Sequence, residues 1–162
     1  MSGELSDTVL VIGLGSPIMT DDAVGLKVAD AIEAMNMDDV ETRQEAIGGL
    51  DIIPMIMGYR NVIIVDAIKT GACEPGTVII FDPEDFEPTV ANASAHEINL
   101  ATAMHMGRQL EPENMPVSVK FVAIEVSDIM TVSETMTEAV SNAVPNAVEA
   151  VLELIDEAQT SN

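Results

Sequence analysis

Four short segments of the sequence contain glycines, acidic residues or a histidine; the acidic and imidazole side chains are residue types that bind metals and move protons. They are residues 13–22 (GLGSPIMTDD), 48–50 (GGL), 65–67 (VDA) and 94–97 (SAHE). Two acids and one histidine suit a divalent transition metal better than calcium, which prefers oxygen ligands alone. Three protein ligands also leave an open position for a substrate group. A metal-dependent or carboxylate-dependent site is therefore the first hypothesis.

Each candidate carboxylate also has a structural interpretation. Asp21 and Asp22 either line a cleft, or Thr20 or Asp21 caps the following helix and the acids favour its positive end. Asp66 follows the buried run VIIV, so it stands at the carboxyl edge of a sheet or simply caps a loop. The three carboxylates form an acidic cleft if the strands that precede them are neighbours.

The fourth segment places a histidine at the start of a helix. Ser94 and Glu97 have the spacing of a capping box, which puts His96 in the first helical turn. The helix dipole there favours the neutral imidazole, the form that binds metal. The alternative is a solvated histidine. His105 lies nine residues further along, about half a turn away from His96, and is not expected to pair with it.

Other chemistries fit the glycine-rich segments less well. Residues 13–22 lack the Gly-Lys-Ser/Thr ending of a P-loop, and Ile18 stands where a dinucleotide fingerprint has its third glycine. Cys73 has no histidine near it in sequence, and no serine has a nucleophile-elbow setting. Gly48, Gly49 and Leu50 form either a simple tight turn or a loop that approaches an extended peptide closely.

The hydrophobic patterning predicts the elements that position these residues. Strand-like runs occupy residues 8–13, 40–45, 62–66, 77–82 and 117–126, and helical spacing occupies 22–35, 50–59, 96–108 and 133–157. Pro145 is expected to start the second half of the last helix. Alternating strands and helices predict one domain over residues 1–162, a three-layer α/β/α sandwich with a mainly parallel five-stranded central sheet. Ligands of such sheets lie beyond the carboxyl ends of the strands.

Composition narrows the range of partners. Six Lys and Arg against 28 Asp and Glu give a net charge of −22, which repels nucleic-acid phosphates and anionic membrane surfaces. One cysteine suits a reducing compartment, and the first ten residues do not resemble a signal peptide, so we expect a cytoplasmic protein. The acidity fits either a salty cytoplasm or an ordinary acidic protein.

Taken together and in order, the four segments resemble the hydrogenase maturation endopeptidases, whose first motif reads Gly-x-Gly-Asn-x-Leu-x-x-Asp-Asp/Glu-x-x-Gly. The resemblance runs from about residue 9 to residue 155. Position 16 departs from it, with serine for the usual asparagine, and Asp22 is shorter than the glutamate of some members. The acidity and the many methionines resemble members from methanogenic archaea, which would make a coenzyme F420-reducing hydrogenase the source of the substrate.

The resemblance implies an endopeptidase that removes the C-terminal extension of a [NiFe]-hydrogenase large-subunit precursor after nickel insertion. Asp22, Asp66 and His96 match the residues that contact the nickel carried by the precursor, and other divalent transition metals would also fit there. Gly48, Gly49 and Leu50 would border the peptide. Either the metal activates the carbonyl or water, or a carboxylate (Asp21, Asp22 or Asp66) acts as the catalytic group. We expect a monomer, since the enzyme must embrace a large partner.

Two other classes of protein share part of this pattern. Phospho-acceptor receiver domains carry an acidic pair after the first strand and an aspartate ending the third, and they bind magnesium. They also need a lysine at the end of the last core strand, whereas Lys120 lies early in residues 117–126. A nucleotide-binding module would place Glu45 near a ribose, but the acidic loop counts against it.

Overall fold

The computed structural model describes residues 3–47, 49–83 and 95–161, and of residues 95–99 it describes only the backbone. The strands are β1 (Val9–Leu14), β2 (Val40–Glu45), β3 (Asn61–Ile68), β4 (Val78–Phe81) and β5 (Ser118–Glu125). The helices are α1 (Val24–Glu33), α2 (Ile53–Ile56), α3 (Ala95–Leu110) and α4 (Glu138–Thr160). Two 3-10 turns, Thr20–Ala23 and Gly49–Ile52, precede α1 and α2.

The strands form one sheet in the order β2-β1-β3-β5-β4. β1, β2, β3 and β5 are parallel, and β4 pairs with β5 in the antiparallel direction. The predicted α/β/α sandwich with a mainly parallel five-stranded sheet is therefore confirmed. β1 and β3 are neighbours, as expected, and pair from Leu10–Val62 to Gly13–Val65.

Two apolar cores lie on opposite faces of the sheet. One packs α1 and α4 against side chains such as Val11, Val65 and Val122. The other packs α2 and α3 against side chains such as Ile12 and Ile64. Adjacent strand residues thus contribute to opposite cores, as the alternation of side chains along a strand requires. Nearly continuous apolar runs such as VIIV follow from the burial of both faces.

Several predicted boundaries are wrong, and packing explains two of them. Residues 133–137 are not helical, because tertiary hydrogen bonds hold this segment against the turn that precedes α1. Pro145 does not start a half-helix, since α4 runs unbroken through it. Burial against the sheet on both sides of Pro145, for example at Val140 and Val151, offsets the cost of a proline inside a helix.

The course of the chain defines a crevice. After β1 the chain moves to β2 on one side, and after β2 it crosses to β3 on the other side. The carboxyl ends of β1 and β3 are thus the switch point of the sheet, where ligands of open α/β sheets bind.

Candidate active site

Three glycines let the turn after β1 lie tightly against the sheet. A Cβ on Gly25 would lie 2.4 Å from the carbonyl oxygen of Leu14 and 2.5 Å from that of Val65. A Cβ on Gly13 would lie 2.3 Å from the Gly25 carbonyl oxygen. Gly15, at φ +147°, would clash in the same way with the carbonyl oxygen of Asp22. The first turns of α1 therefore sit directly on the ends of β1 and β3.

Asp21 is completely buried and fixes this turn to the segment between β5 and α4. Its Oδ2 accepts the N–H groups of Ser127 (3.0 Å) and Asp128 (2.9 Å). Its Oδ1 accepts the N–H of Thr137 at 2.7 Å, and the Thr137 hydroxyl donates to the carboxylate at 2.9 Å. The interpretation of Thr20 or Asp21 as a helix cap is wrong, because neither side chain caps the turn or α1.

Thr20, just before Asp21, has a left-handed backbone with φ +51°, which is uncommon for a β-branched residue. Its N–H donates to the carbonyl of Ser133 at 3.0 Å, and its hydroxyl donates to the carbonyl of Thr131. The conformation is held from outside the turn, by residues more than a hundred positions away. Sequence patterning gave no signal for this arrangement or for the roles of Thr131, Ser133 and Thr137.

Asp22 differs from Asp21 in its burial and in its hydrogen-bond partners. Asp22 is half-buried, and its Oδ2 accepts the N–H of Ser16 at 3.0 Å. The 3-10 turn that carries Asp22 packs against β3. Asp22 therefore lies beside the strand that carries Asp66.

Asp66 lies within β3, two residues before its end, whereas the predicted strand ended at Asp66. It is 5% exposed, and its Oδ1 accepts the N–H of Ala67 at 2.8 Å. The ladder between β1 and β3 ends at Val65, so Asp66 is the first β3 residue past that pairing. Residues 62, 64 and 68 of the strand face the core formed with α2 and α3, and alternation directs Asp66 to the same face.

The helix that carries His96 begins at the same edge of the sheet. The end of α3 is next to the start of β5, because Arg108 donates to the carbonyl of Pro116 at 3.0 Å. The 16 residues of α3 span about 24 Å, so its first turn lies towards the opposite edge, where the strands end. Ser94 and Gly48 lie outside the described residues, as does the His96 side chain. Gly49 and Leu50 open a 3-10 turn that packs against α3.

Within the described side chains, no three of His, Cys, Asp and Glu are arranged as metal ligands. The donor set predicted from sequence includes His96, which lies outside that search. The two carboxylates that are described fit such a set chemically, because carboxylate oxygen and imidazole nitrogen are both ligands of divalent transition metals.

A further buried carboxylate was missed by sequence reasoning. Glu125, the last residue of β5, is buried and accepts the N–H groups of Thr70 (2.9 Å) and Gly71 (2.8 Å) and the Thr70 hydroxyl (2.9 Å). It ties the loop after β3 to the end of β5. Glu125 and Asp21 thus secure the loops on either side of the crevice.

The displaced pKa values that the structure resolves lie outside the crevice. The Tyr59 hydroxyl donates to Glu41 at 2.6 Å, and this bond, followed by the Arg43 guanidinium, lowers the pKa of Glu41. Hydrogen bonds from Thr131 and Met130 lower the pKa of Asp128. Asp128 is therefore negatively charged at neutral pH on the segment that Asp21 holds.

Neither a receiver-type phospho-acceptor site nor a nucleotide-binding site is supported by the structure. Lys120 lies near the start of β5, at the edge opposite the carboxylates, and pairs with Asp82 at 2.6 Å. It does not occupy the place of a receiver lysine. The turn after β1 does not form a phosphate cradle either, because the Asp22 backbone fills the space beside Gly15 and its carboxylate takes the Ser16 N–H.

The fold and the site define an α/β/α protein with an acidic crevice at the switch point of its sheet. The sequence profile of the hydrogenase maturation proteases matches residues 46–154, and the chain belongs to this family. It is 29% identical over 99 residues to the Hydrogenase 2 maturation protease of Escherichia coli K12. That match covers 59% of this chain and 60% of the relative, less than two thirds of the relative's length.

Solved structures have the same fold. The hydrogenase maturating endopeptidase HybD from E. coli superimposes with a TM-score of 0.77 at 24% identity, covering 93% of each chain. The [NiFe] hydrogenase maturation protease HybD from Thermococcus kodakarensis gives 0.73 at 24% identity, covering 91% of this chain and 98% of that one. A solution structure of an E. coli endopeptidase gives 0.78 at 25% identity, covering 93% of each chain. Among the described residues, no helix has the length and apolar character to cross a bilayer.

Proposed function

We propose that this protein is an endopeptidase that removes the C-terminal extension of a [NiFe]-hydrogenase large-subunit precursor once nickel has been inserted. The observation that carries the proposal is that the turn bearing Asp22 packs on the strand bearing Asp66, at the switch point of the sheet. Membership of the hydrogenase maturation protease family supports the same reaction. The enzyme acts as a cytoplasmic monomer on a protein substrate.

Asp22, Asp66 and His96 recognise the nickel that the precursor carries. Asp22 and Asp66 are contributed by elements held rigidly together, since there is no room for a side chain at Gly25 between α1 and the two strands. Such preorganisation lets the site distinguish loaded from unloaded precursor without first ordering its own ligands. Gly48, Gly49 and Leu50 border the peptide, with Leu50 exposed on the turn that packs against α3.

If a carboxylate serves as the general base, Asp66 is better suited to this role than Asp21. Asp21 is completely buried, and its two oxygens accept three backbone N–H groups and one hydroxyl. A general base must come within hydrogen-bond reach of the proton that it takes. We therefore assign Asp21 the role of holding the turn, and Asp22 and Asp66 the contact with substrate.

The test is a cleavage assay on a large-subunit precursor prepared with and without nickel. A coenzyme F420-reducing hydrogenase is the first precursor to use. The variants are His96→Ala and the matched control His105→Ala, which changes the other histidine of the same helix. We expect the wild type and His105→Ala to shorten only the loaded precursor, and His96→Ala to lose most of this activity. Equal cleavage of unloaded precursor would discard recognition through nickel and leave a peptidase.

Metal contact is measured separately, by titrating the purified protein with nickel in a calorimeter. Asp22→Asn and Asp66→Asn should weaken binding by at least about tenfold, because a neutral amide is a poor ligand for a divalent ion. Asp156→Asn, on the exposed face of α4, is the control. Unchanged affinity in both crevice variants would remove these carboxylates from the metal-binding role.

A further inference from the structure

Three apolar side chains are exposed beside the crevice on a backbone that is unusually well fixed. Ile18 is 49% exposed, Met130 is 78% exposed and Val132 is 73% exposed. Ile18 belongs to the turn after β1, and the other two belong to the segment after β5. We refer to these three residues as the apolar rim.

The two segments of the apolar rim are joined by their backbones. The N–H of Ser133 donates to the carbonyl of Ile18 at 2.9 Å, and the N–H of Thr20 donates to the carbonyl of Ser133 at 3.0 Å. Met19 and Ser133 form a parallel bridge. The joined segments span from the end of β1 to the end of β5 and so pass the end of β3, which lies between those strands.

Two aspartate side chains also hold the backbone of the apolar rim in place. Asp21 binds the segment at residues 127, 128 and 137, and Asp128 accepts the N–H groups of Met130 (2.9 Å) and Thr131 (3.0 Å). A backbone that is already ordered loses little conformational freedom when a partner covers the side chains that it carries, which favours binding. An exposed apolar surface on an ordered backbone is suited to binding a partner.

We propose that the apolar rim docks the folded body of the hydrogenase large-subunit precursor, next to the crevice that takes its C-terminal segment. This inference rests on the proposed function. The rim is continuous with the candidate active site, because Ile18 lies in the same turn as Asp22, four residues before it. A protease that acts on a folded precursor needs a contact surface beyond the scissile segment.

Charge around the rim specifies the chemistry of the partner surface. The chain has no Lys or Arg after Lys120, whereas Asp128, Glu134 and Glu138 follow closely. One cation, Lys69, acts on Asp128. The matching surface on the precursor is therefore apolar at its centre and basic at its border, the complement expected of a specific protein contact.

The test compares a double variant, Met130→Ser with Val132→Ser, with the control Val117→Ser. Val117 is 66% exposed and precedes β5, at the opposite edge of the sheet. Binding of uncleaved nickel-loaded precursor and the kcat and KM for its cleavage are measured for all three proteins. We expect the double variant to weaken binding and raise KM by about tenfold with kcat within about twofold, as for loss of a central interface contact. Val117→Ser should match the wild type.

The outcomes separate this inference from the proposed function. If the wild type binds the precursor without cleaving it, and the double variant binds it more weakly, the proposed function fails and the docking surface stands. The inference is overturned if the double variant binds and cleaves as the wild type does, if Val117→Ser is equally impaired, or if the wild type binds no precursor. It is also overturned if sedimentation shows a wild-type dimer that the double variant makes monomeric, because the rim would then join two copies of this chain.

Discussion

Replacing Asp21 with asparagine should destabilise the whole protein while leaving the shape of the side chain unchanged. The carboxylate, which has no solvent exposure itself, accepts N–H groups from Ser127, Asp128 and Thr137 and the hydroxyl of Thr137. An asparagine amide has only one acceptor oxygen. Whichever way it is oriented, its NH₂ group points at one or more backbone N–H donors.

The less costly orientation keeps the oxygen on Ser127 and Asp128 and turns the NH₂ group towards Thr137. One buried N–H then lacks an acceptor, which costs about 1–3 kcal/mol, and the remaining bonds lose their charge-assisted strength. The sum is about 2–4 kcal/mol in the free energy of unfolding. For a chain of this size, that lowers Tm by about 5–15 °C.

Thermal unfolding followed by circular dichroism measures this effect, with Thr137→Val as the graded control. That variant removes only the hydroxyl donor and should cost about 1 kcal/mol. Asp22→Asn, in the half-buried neighbour, should impair cleavage with a much smaller change in Tm. A Tm for Asp21→Asn within about 2 °C of the wild type, with activity abolished, would refute the structural role and return Asp21 to catalysis.

Three other perturbations follow from the same structure. Gly25→Ala should destabilise strongly in urea unfolding, because its Cβ would meet two carbonyl oxygens at 2.4 and 2.5 Å, whereas Gly3→Ala, with open space around it, should be neutral. Glu125→Leu should expose the loop after β3 to limited proteolysis, since the substitution removes the buried acceptor of two backbone N–H groups and one hydroxyl; cleavage unchanged from the wild type would contradict this. Glu41→Gln should be less stable than the wild type at pH 7, and the difference should vanish as the pH falls below the lowered pKa of the folded state. The ionised carboxylate is what the Tyr59 hydroxyl stabilises, so a difference that persists at low pH would exclude the charged interaction.

The local patterns of the sequence predicted the layers of the fold well. β2 matches its predicted bounds, and the other strands and α3 differ from theirs by one or two residues at each end. For β1, β3 and β5 this success has a simple cause, since strands that are buried on both faces carry nearly continuous apolar runs. The glycines at 13, 15 and 25 were visible as a motif, but the reason for each, a backbone carbonyl oxygen too close to allow a Cβ, appears only in the packed structure.

Local sequence patterns were sufficient to predict that carboxylates stand at the carboxyl ends of β1 and β3, because strand order along the chain and the ends of apolar runs are local properties. The different environments of Asp21 and Asp22 follow only from the packing of distant parts of the chain. Asp21 and Asp22 are adjacent and chemically identical, yet one is buried against residues 127–137 and the other lies beside β3. Their partners are up to 116 positions away, and no local pattern encodes hydrogen bonds across such a distance. The start of α4 at Glu138 rather than residue 133 has the same origin, because those residues bind the turn after β1 instead of extending the helix.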